Sequence, residues 1–289
     1  MPLGWHVWTN YRFRSGDLTR GADLAGIRVG GGNPVVIVGV LNTSPDSFYA
    51  GSVVRGPAEA VKRARRMLDE GADIIDVGAM STAPGVKPIP VGLEKRRLLP
   101  IVEALVKKLD PQISIDTQRA EIARAALKAG ARIINDVSGL KADQEMARVL
   151  ADFECSAVLM AARQKPGDVR TIEEIKHELE KSLRMCEHHD IDLKKIVIDP
   201  GIGFGKGAEW DLRILANLGE LAALGRPICV AVSRKSFIGK VLDLPDPADR
   251  LWGSLAATAI AVLNGADVVR THDPEETLHA IRIAEAVRS

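Results

Sequence analysis

The stretch GADII at residues 71–75 decides the fold of this chain, because closely similar stretches recur as GARII at 130–134 and GADVV at 265–269. In each copy a glycine ends a stretch with helical periodicity and leads directly into an apolar run. Glycine readily adopts the left-handed conformation that ends a helix, and short runs rich in valine and isoleucine are typical of buried parallel strands. The three copies therefore predict repeated βα units.

Eight apolar runs divide the chain, and stretches with helical periodicity separate them. One helical face between the first two runs carries Ala58, Val61, Ala64 and Leu68. The runs predicted as strands are PVVIVGVLN (34–42), ADIIDVGA (72–79), QISID (112–116), RIINDVS (132–138), SAVLMAA (156–162), KIVIDP (195–200), PICVAVS (227–233) and DVVRTHD (267–273).

Eight βα units predict a (β/α)8 TIM barrel of the α/β class. The alternative, an open doubly wound sheet, usually has fewer strands and often a GxGxxG motif after the first. No such motif follows Asn42, which favours the barrel. We expect one barrel domain over residues 34–289 and an N-terminal extension over residues 1–33, with a glycine turn at 30–32. A plug or hairpin under the barrel is the expected role of the extension.

Charge and cysteine content restrict the class of partner. The 39 lysines and arginines balance 38 acidic residues, so we expect no nucleic-acid and no membrane partner and leave a small metabolite as the open class. Cys155, Cys186 and Cys229 contain no CxxC pair, which argues against a disulfide framework or a zinc site. With no apolar run of signal-peptide or membrane-spanning length, the expected location is cytoplasmic.

Polar residues follow the predicted strands at the end where TIM barrels carry their chemistry. Asp116, Asn135 and Asp199 together form an acceptor-rich set suited to a flat heterocycle with amidine-like N–H groups. Each aspartate taken singly could equally cap a helix. The full set of polar strand ends comprises Asn42, Asp76, Asp116, Asn135, Asp199, Lys235, Arg270 and His272.

Cations and hydroxyls follow the last two strands, in SRKS at 233–236 and RTH at 270–272. Loops in these positions of a TIM barrel frequently bind phosphate, although solvated surface charge is the plainer alternative. The oxygen-rich run NTSPDS at 42–47 suits Mg²⁺ beside such a phosphate. The glycine-rich run at 201–206 is weak evidence for a phosphate loop, but Phe204 within it is available to cover a ligand.

These residues resemble the dihydropteroate synthase family from about residue 34 to the end of the chain. The resemblance implies a TIM barrel, usually a homodimer, that joins 6-hydroxymethyl-7,8-dihydropterin pyrophosphate to p-aminobenzoate and releases pyrophosphate. The motifs that carry it are GVLN (39–42), PDSF (45–48), IDVG (75–78), ST (81–82), IDT (115–117), IND (134–136), DPG (199–201), SRKS (233–236) and RTH (270–272).

The resemblance also implies a role for each matched residue. The pterin would be hydrogen-bonded by Asp116, Asn135, Asp199 and Lys235, with Met160 near its ring. Asn42 would bind Mg²⁺, and Arg270 and His272 would hold the pyrophosphate. Lys235, Arg270 and His272 are the catalytic candidates. Further candidates for substrate binding are Thr82, Phe204 and Ser236.

Three departures from the family pattern concern the aryl amine. Alanine stands at positions 50, 83 and 161, where the family usually has an acidic residue, an arginine and a histidine. Arg163, Lys87 or Arg55 would then supply charge from a shifted position. The alternatives are a paralogue that uses a different, larger aryl amine, a pterin-dependent methyltransferase, and a non-catalytic pterin-binding protein.

Overall fold

The computed structural model describes residues 20–44, 51, 53–80 and 86–288. Thr82, Ala50 and Ala83 lie outside these residues, as do residues 1–19 of the predicted extension. The strands are β1 (Gly21–Leu24), β2 (Ile27–Gly30), β3 (Val36–Asn42), β4 (Ile74–Gly78), β5 (Gln112–Asp116), β6 (Ile133–Asp136), β7 (Ser156–Met160), β8 (Ile196–Asp199), β9 (Cys229–Val230) and β10 (Val268–Thr271).

Helices connect the strands. The α-helices are α1 (Pro57–Asp69), α2 (Val91–Lys108), α3 (Ala120–Lys128), α4 (Met146–Phe153), α5 (Ile172–His188), α6 (Ala208–Ala216), α7 (Ser236–Leu242), α8 (Leu251–Leu263) and α9 (Pro274–Arg288). Short 3-10 helices cover Leu193–Lys195, Leu218–Leu224 and Pro247–Arg250.

Strands β3 to β10 form one parallel sheet in the order β8-β7-β6-β5-β4-β3-β10-β9. A parallel bridge between Ile198 and Ile228 joins the two edges, so the sheet closes on itself. A closed parallel sheet surrounded by its crossover helices is a TIM barrel. The predicted fold is confirmed, and each of the eight predicted runs contains one barrel strand.

The glycines that suggested the repeat have the backbone conformation expected of them. Gly71, Gly130 and Gly265 have φ angles of 97°, 109° and 100°, in the positive range that L side chains rarely adopt. A Cβ atom on Gly71 would also lie 2.8 Å from Leu278 Cδ2. These glycines therefore let each helix end close to the start of the next strand.

Helix α1 packs most of the predicted face on the core, because Ala64 is buried and Val61 and Leu68 are partly buried against it. Ala60, Ala64 and Met67 point into the core, whereas Ala58 is exposed. The prediction was wrong only for Ala58, and it omitted Ala60 and Met67, which lie beside the predicted stripe and are fully buried. The spacing of four and three residues is still that of a helix packed on a sheet.

A hairpin of β1 and β2 closes the amino-terminal end of the barrel. Leu24 and Val29 are fully buried and pack on the first inward-facing side chains of the strands. Ser156, at the start of β7, accepts from Ala25 N at 3.0 Å and donates to Asp23 O at 2.9 Å. Because this end is plugged, a ligand can enter the barrel only from the opposite end, where the strands finish.

All three cysteines are buried free thiols, and burial raises the pKa of both Cys155 and Cys186 to about 12. Among the described residues, no helix combines the length and the apolar character needed to cross a bilayer.

The hairpin gives a test of the fold. Leu24→Ala should lower the free energy of unfolding by about 2–5 kcal/mol, because it leaves a cavity between the hairpin and the barrel strands. Leu212→Ala, at a side chain that is 41% exposed, should change it by less than about 0.5 kcal/mol. Urea unfolding followed by circular dichroism measures both; equal effects would show that the hairpin does not seal the core.

Candidate active site

A buried arginine and two aspartates lie at the centre of the open end of the barrel. Arg270 Nε donates to Asp76 Oδ2 at 2.7 Å, and Arg270 Nη2 lies 2.6 Å from the same oxygen. Nη2 also donates to Asp116 Oδ2 at 3.0 Å. Asp76 is completely buried, and a buried carboxylate is stable only with such a partner. Arg270, predicted as a pyrophosphate ligand, is here the ion-pair partner of both aspartates.

Asp116 and Asn135 form the first part of an acceptor floor. They are paired neighbours on β5 and β6, and both are buried. Asp116 Oδ1 has no hydrogen-bond partner within the described part of the chain. Burial raises the pKa of Asp116 to about 7, although Arg270 acts in the opposite direction. A buried oxygen without a donor is unfavourable, so Asp116 is well suited to accept an N–H group from a ligand.

Asp199 extends the floor across the barrel. It ends β8 beside Met160, which ends β7. Its Oδ1 accepts from Gly201 N at 2.6 Å, and burial raises the pKa of its carboxyl group. Met160 is also buried and adds a polarisable apolar surface. The structure thus brings Asp116, Asn135, Met160 and Asp199 together on four consecutive strands, as expected.

Lys235 approaches this floor from the loop after β9. Its Nζ lies 4.6 Å from the ring centroid of Phe204, which is a cation–π contact. Burial lowers the pKa of Lys235 to about 8, and the nearby Arg270 acts in the same direction. Ser236 is exposed at the first position of α7. Lys235 and Phe204 therefore meet beside the floor, with the Ser236 hydroxyl near the surface.

His272 is held by a neighbouring serine. Its Nδ1 lies 2.9 Å from Ser233 Oγ, which also accepts from the His272 backbone N–H at 3.3 Å. The serine hydroxyl can donate to Nδ1 or accept from it, and when it donates, the imidazole proton lies on Nε2. Burial, followed by the positive charges of Arg270 and Lys235, lowers the pKa of His272 well below its ordinary value. His272 is therefore a neutral donor at physiological pH.

Arg234 connects two loops of the site through contacts that the sequence did not indicate. Its Nε and Nη2 form a bidentate ion pair with the carboxylate of Asp273, at 2.9 Å and 2.8 Å. Its Nη1 also donates to the carbonyl groups of Pro247 and Ala248. These contacts join the loop after β9 to the start of α9, and so fix the backbone on either side of Lys235 and His272.

Oxygen atoms suitable for Mg²⁺ lie at the end of β3. A Cβ atom on Gly78 would be 3.2 Å from Asn42 Oδ1 and 3.6 Å from Asp116 Cβ, so the Asn42 amide borders the acceptor floor. Thr43 Oγ1 is buried without a hydrogen-bond partner among the described residues. Within those residues no cluster of three or more His, Cys, Asp or Glu side chains could hold a metal. An Mg²⁺ ion here would need oxygen ligands from phosphate and water.

A cavity of about 290 Å³ opens beside Met160 and Phe204, between the loops that follow β6, β7 and β8. Ala161 is one of its lining residues, so the alanine that departs from the family pattern borders open space. Arg163 lies at the same cavity, but its Nε is paired with Glu178 at 3.1 Å. The charge suggested as a replacement is therefore held by α5.

Two buried charged groups near the floor were not singled out from the sequence. Lys206 and Asp211 are 4% and 2% exposed, and both contact the glycine-rich loop after β8. The glycine-rich run drew attention to the loop, but nothing in the local pattern distinguished these two side chains from surface charges.

Buried carboxylates, a lysine and a neutral histidine at the carboxyl ends of parallel strands define an enzyme of the TIM-barrel class. Comparison with known proteins specifies the family. The pterin binding enzyme profile matches residues 38–272. Dihydropteroate synthase from Synechocystis sp. is 40% identical over 263 residues, which are 89% of this chain and 91% of that protein. The Bacillus subtilis dihydropteroate synthase is 37% identical, covering 87% and 88% of the two chains.

Solved structures agree with the sequence comparison. FolP, a dihydropteroate synthase from Clostridium difficile, crystallised in the presence of pteroic acid, has a TM-score of 0.82 and 40% identity, covering 89% of this chain and 97% of that one. Xanthomonas albilineans dihydropteroate synthase with 4-aminobenzoic acid has a TM-score of 0.83 and 36% identity, covering 93% and 98%. The chain therefore belongs to the pterin-binding enzymes and, among them, to the dihydropteroate synthase family of transferases.

The shifted pKa values predict that pterin binding depends on pH. Asp116 must be ionised to accept an N–H group, so affinity should fall by about tenfold per pH unit below about 7. Lys235 must be protonated to donate, so affinity should also fall above about 8. Calorimetric titration with hydroxymethyl-dihydropterin, which has no pyrophosphate to ionise, measures this profile.

Variants of Asp116 and Lys235 test which residue causes the loss of affinity on each side of the pH profile. Asp116→Asn should remove the acid limb, and Lys235→Met should remove the alkaline limb, each with weaker binding overall. An affinity that stays constant through neutral pH in the unmodified protein would contradict the assignment, as would a profile unchanged in both variants.

Proposed function

We propose that this protein condenses 6-hydroxymethyl-7,8-dihydropterin pyrophosphate with p-aminobenzoate, releases pyrophosphate and so serves folate biosynthesis. The observation that carries the proposal is the acceptor floor of Asp116, Asn135 and Asp199 beside Lys235. The Clostridium difficile and Xanthomonas albilineans relatives, described with pteroic acid and 4-aminobenzoic acid, support it.

The floor would recognise the pterin by its N–H edge. Carboxylate and amide oxygens of Asp116, Asn135 and Asp199 accept hydrogen bonds, while Lys235 can donate to a ring oxygen or nitrogen. Met160 would pack against the heterocycle from β7. Because the three acceptors and Met160 are buried and already held by the strands, little reorganisation of these groups is needed when the ligand binds.

Cations near the ends of β3 and β10 would stabilise the leaving group. With its proton on Nε2, His272 would be a neutral donor for a phosphate oxygen, and Arg270 would supply positive charge once part of its contact with the aspartates is exchanged for phosphate. Asn42 and Thr43 would hold Mg²⁺ with the pyrophosphate, and the ion would supply charge neutralisation. Departure of pyrophosphate leaves a pterin cation that the aryl amine attacks, so no protein nucleophile is required.

A paralogue activity is the second candidate, because Ala161 borders the 290 Å³ cavity. Replacing a histidine by alanine widens the space beside Met160, which would favour a larger aryl amine. Among the residues that the structure describes, no contact specifically supports the methyltransferase or the non-catalytic alternative.

An amine panel distinguishes these activities. Purified protein with the pterin pyrophosphate and Mg²⁺ should form dihydropteroate from p-aminobenzoate, with pyrophosphate release as a second readout. Faster release with a larger aryl amine than with p-aminobenzoate would support the paralogue. Pterin binding without release for any amine would contradict both transferase activities.

Site variants test the floor. Asp199→Asn and Lys235→Ala should each weaken pterin binding by about a hundredfold, since each removes a charge-assisted hydrogen bond of about 1.5–3 kcal/mol in a water-poor site. Asp69→Asn and Lys240→Ala, at exposed positions, serve as matched controls. Retained affinity in both site variants, measured by calorimetry, would overturn the placement of the pterin.

We also propose that the protein is cytosolic and forms a homodimer through an apolar surface on α8 and α9. Large apolar side chains exposed on these two packed helices support the second point. They are Trp252, Ile260, Leu263, Ile283 and Val287. Exposed apolar side chains on neighbouring helices are suited to a protein–protein interface.

Dimerisation can be tested by changing one side chain. Ile283→Asp, at a residue 69% exposed, should convert the dimer to a monomer, because it places a charge in the interface. Leu212→Asp on α6 should leave the mass unchanged. Light scattering after size-exclusion chromatography measures the mass; a monomer in the unmodified protein would contradict the proposal.

A further inference from the structure

Lys206 is a buried ammonium group that stability alone does not explain. Its side chain is 4% exposed, and Nζ donates to Gly201 O at 2.7 Å. Among the described residues no carboxylate oxygen lies within 4.0 Å of it, the limit for an ion pair. Removing an ammonium group from water without a paired carboxylate is unfavourable, and burial accordingly lowers the pKa of Lys206.

The atom that Lys206 holds belongs to the glycine loop, residues 201–205. The loop is fixed at two further points, because Gly201 N donates to Asp199 Oδ1 at 2.6 Å and Gly203 N donates to Asp211 Oδ1 at 2.8 Å. Gly201, Gly203 and Gly205 all have positive φ angles. Such a chain has many alternative conformations, so these three polar contacts select one of them.

The selected conformation places the loop directly against ligand-facing side chains. A Cβ atom on Gly203 would lie 2.6 Å from Lys235 Cδ, and one on Gly201 would lie 3.1 Å from Met160 Sδ. The next residue in the loop, Phe204, contacts Lys235 Nζ through its ring. A shift of the loop would therefore move the stem and the amine of Lys235 and would loosen the carboxylate of Asp199.

We propose that Lys206 is a positioning residue: its ammonium group holds the glycine loop against Lys235 and Asp199, and thereby sets the affinity of the site for the pterin. It acts through these neighbours and does not itself contact the pterin. The proposal rests on the proposed function, because it concerns the same pterin floor. It also explains why an ammonium group is buried at position 206, although its burial is unfavourable for the stability of the fold.

The variant Lys206→Met separates positioning from a merely structural role. A methionine fills similar space without a buried charge, so the substitution removes the desolvation penalty of an ammonium group that has no ion-pair partner. The melting temperature should therefore stay the same or rise. Pterin affinity should fall by about tenfold to a hundredfold, because small displacements of binding groups have effects of this size.

Three measurements are made on the full-length variant. Calorimetry with the pterin pyrophosphate gives the affinity, steady-state kinetics should show a raised KM for the pterin with kcat largely retained, and hydrogen exchange should become faster in residues 201–205. Lys240→Met, an exposed lysine on α7, is the matched control and should change none of them.

A second variant tests whether the effect passes through the loop. Asp211→Leu removes another of the side-chain contacts to this segment, at Gly203 N. If both residues act by fixing one loop, the double variant should lose little more affinity than either single variant, whereas independent effects would multiply.

The outcomes distinguish the inference from the proposed function. If the unmodified protein does not bind the pterin pyrophosphate, the proposed function fails. If it binds, but Lys206→Met binds equally well with unchanged exchange in the loop, the positioning role is overturned. A large drop in melting temperature together with weaker binding would also overturn it, because Lys206 would then be a structural residue.

Discussion

Arg270 places a guanidinium group inside the barrel between Asp76 and Asp116, and most features of the open end depend on this contact. Two aspartates in an apolar barrel would repel each other and lose hydration, with a penalty of several kcal/mol for each ion. The guanidinium offsets this penalty through contacts of 2.6–3.0 Å. It also satisfies only one oxygen of Asp116, so the floor is stable and still able to accept a donor.

The position of that floor follows from the alternation of side chains along the strands. Inward-facing residues recur at every second position, so the apolar Ile133 and Val197 near the hairpin lie one layer below the polar Asn135 and Asp199. The hairpin covers the apolar layer, and the polar layer lies at the open end of the barrel. The apolar end of the sheet therefore stabilises the fold, and the polar end provides the groups that can bind a ligand.

Much of this arrangement was predictable, because strand ends are visible in the sequence as polar residues after apolar runs. Asp116, Asn135 and Asp199 were grouped for that reason, and the structure brings them together. Partners from distant parts of the chain were not predictable. Arg270 and Asp76 are 194 residues apart, and only the closed sheet makes them neighbours. Arg234 lies in the SRKS run that the sequence predicts to bind phosphate. Its ion-pair partner, Asp273, follows a different strand, so this pairing is not visible in the sequence.

The central claim is that the floor of Asp116, Asn135 and Asp199 binds the pterin while cations at neighbouring strand ends bind its pyrophosphate. A crystal structure of the protein soaked with the pterin pyrophosphate and Mg²⁺ tests it most directly. The account predicts the heterocycle's N–H edge on these three side chains, Lys235 within hydrogen-bonding distance of the ring, and pyrophosphate beside His272 and Arg270. A heterocycle bound elsewhere, with Arg270 still fully paired to Asp76 and Asp116, would contradict it.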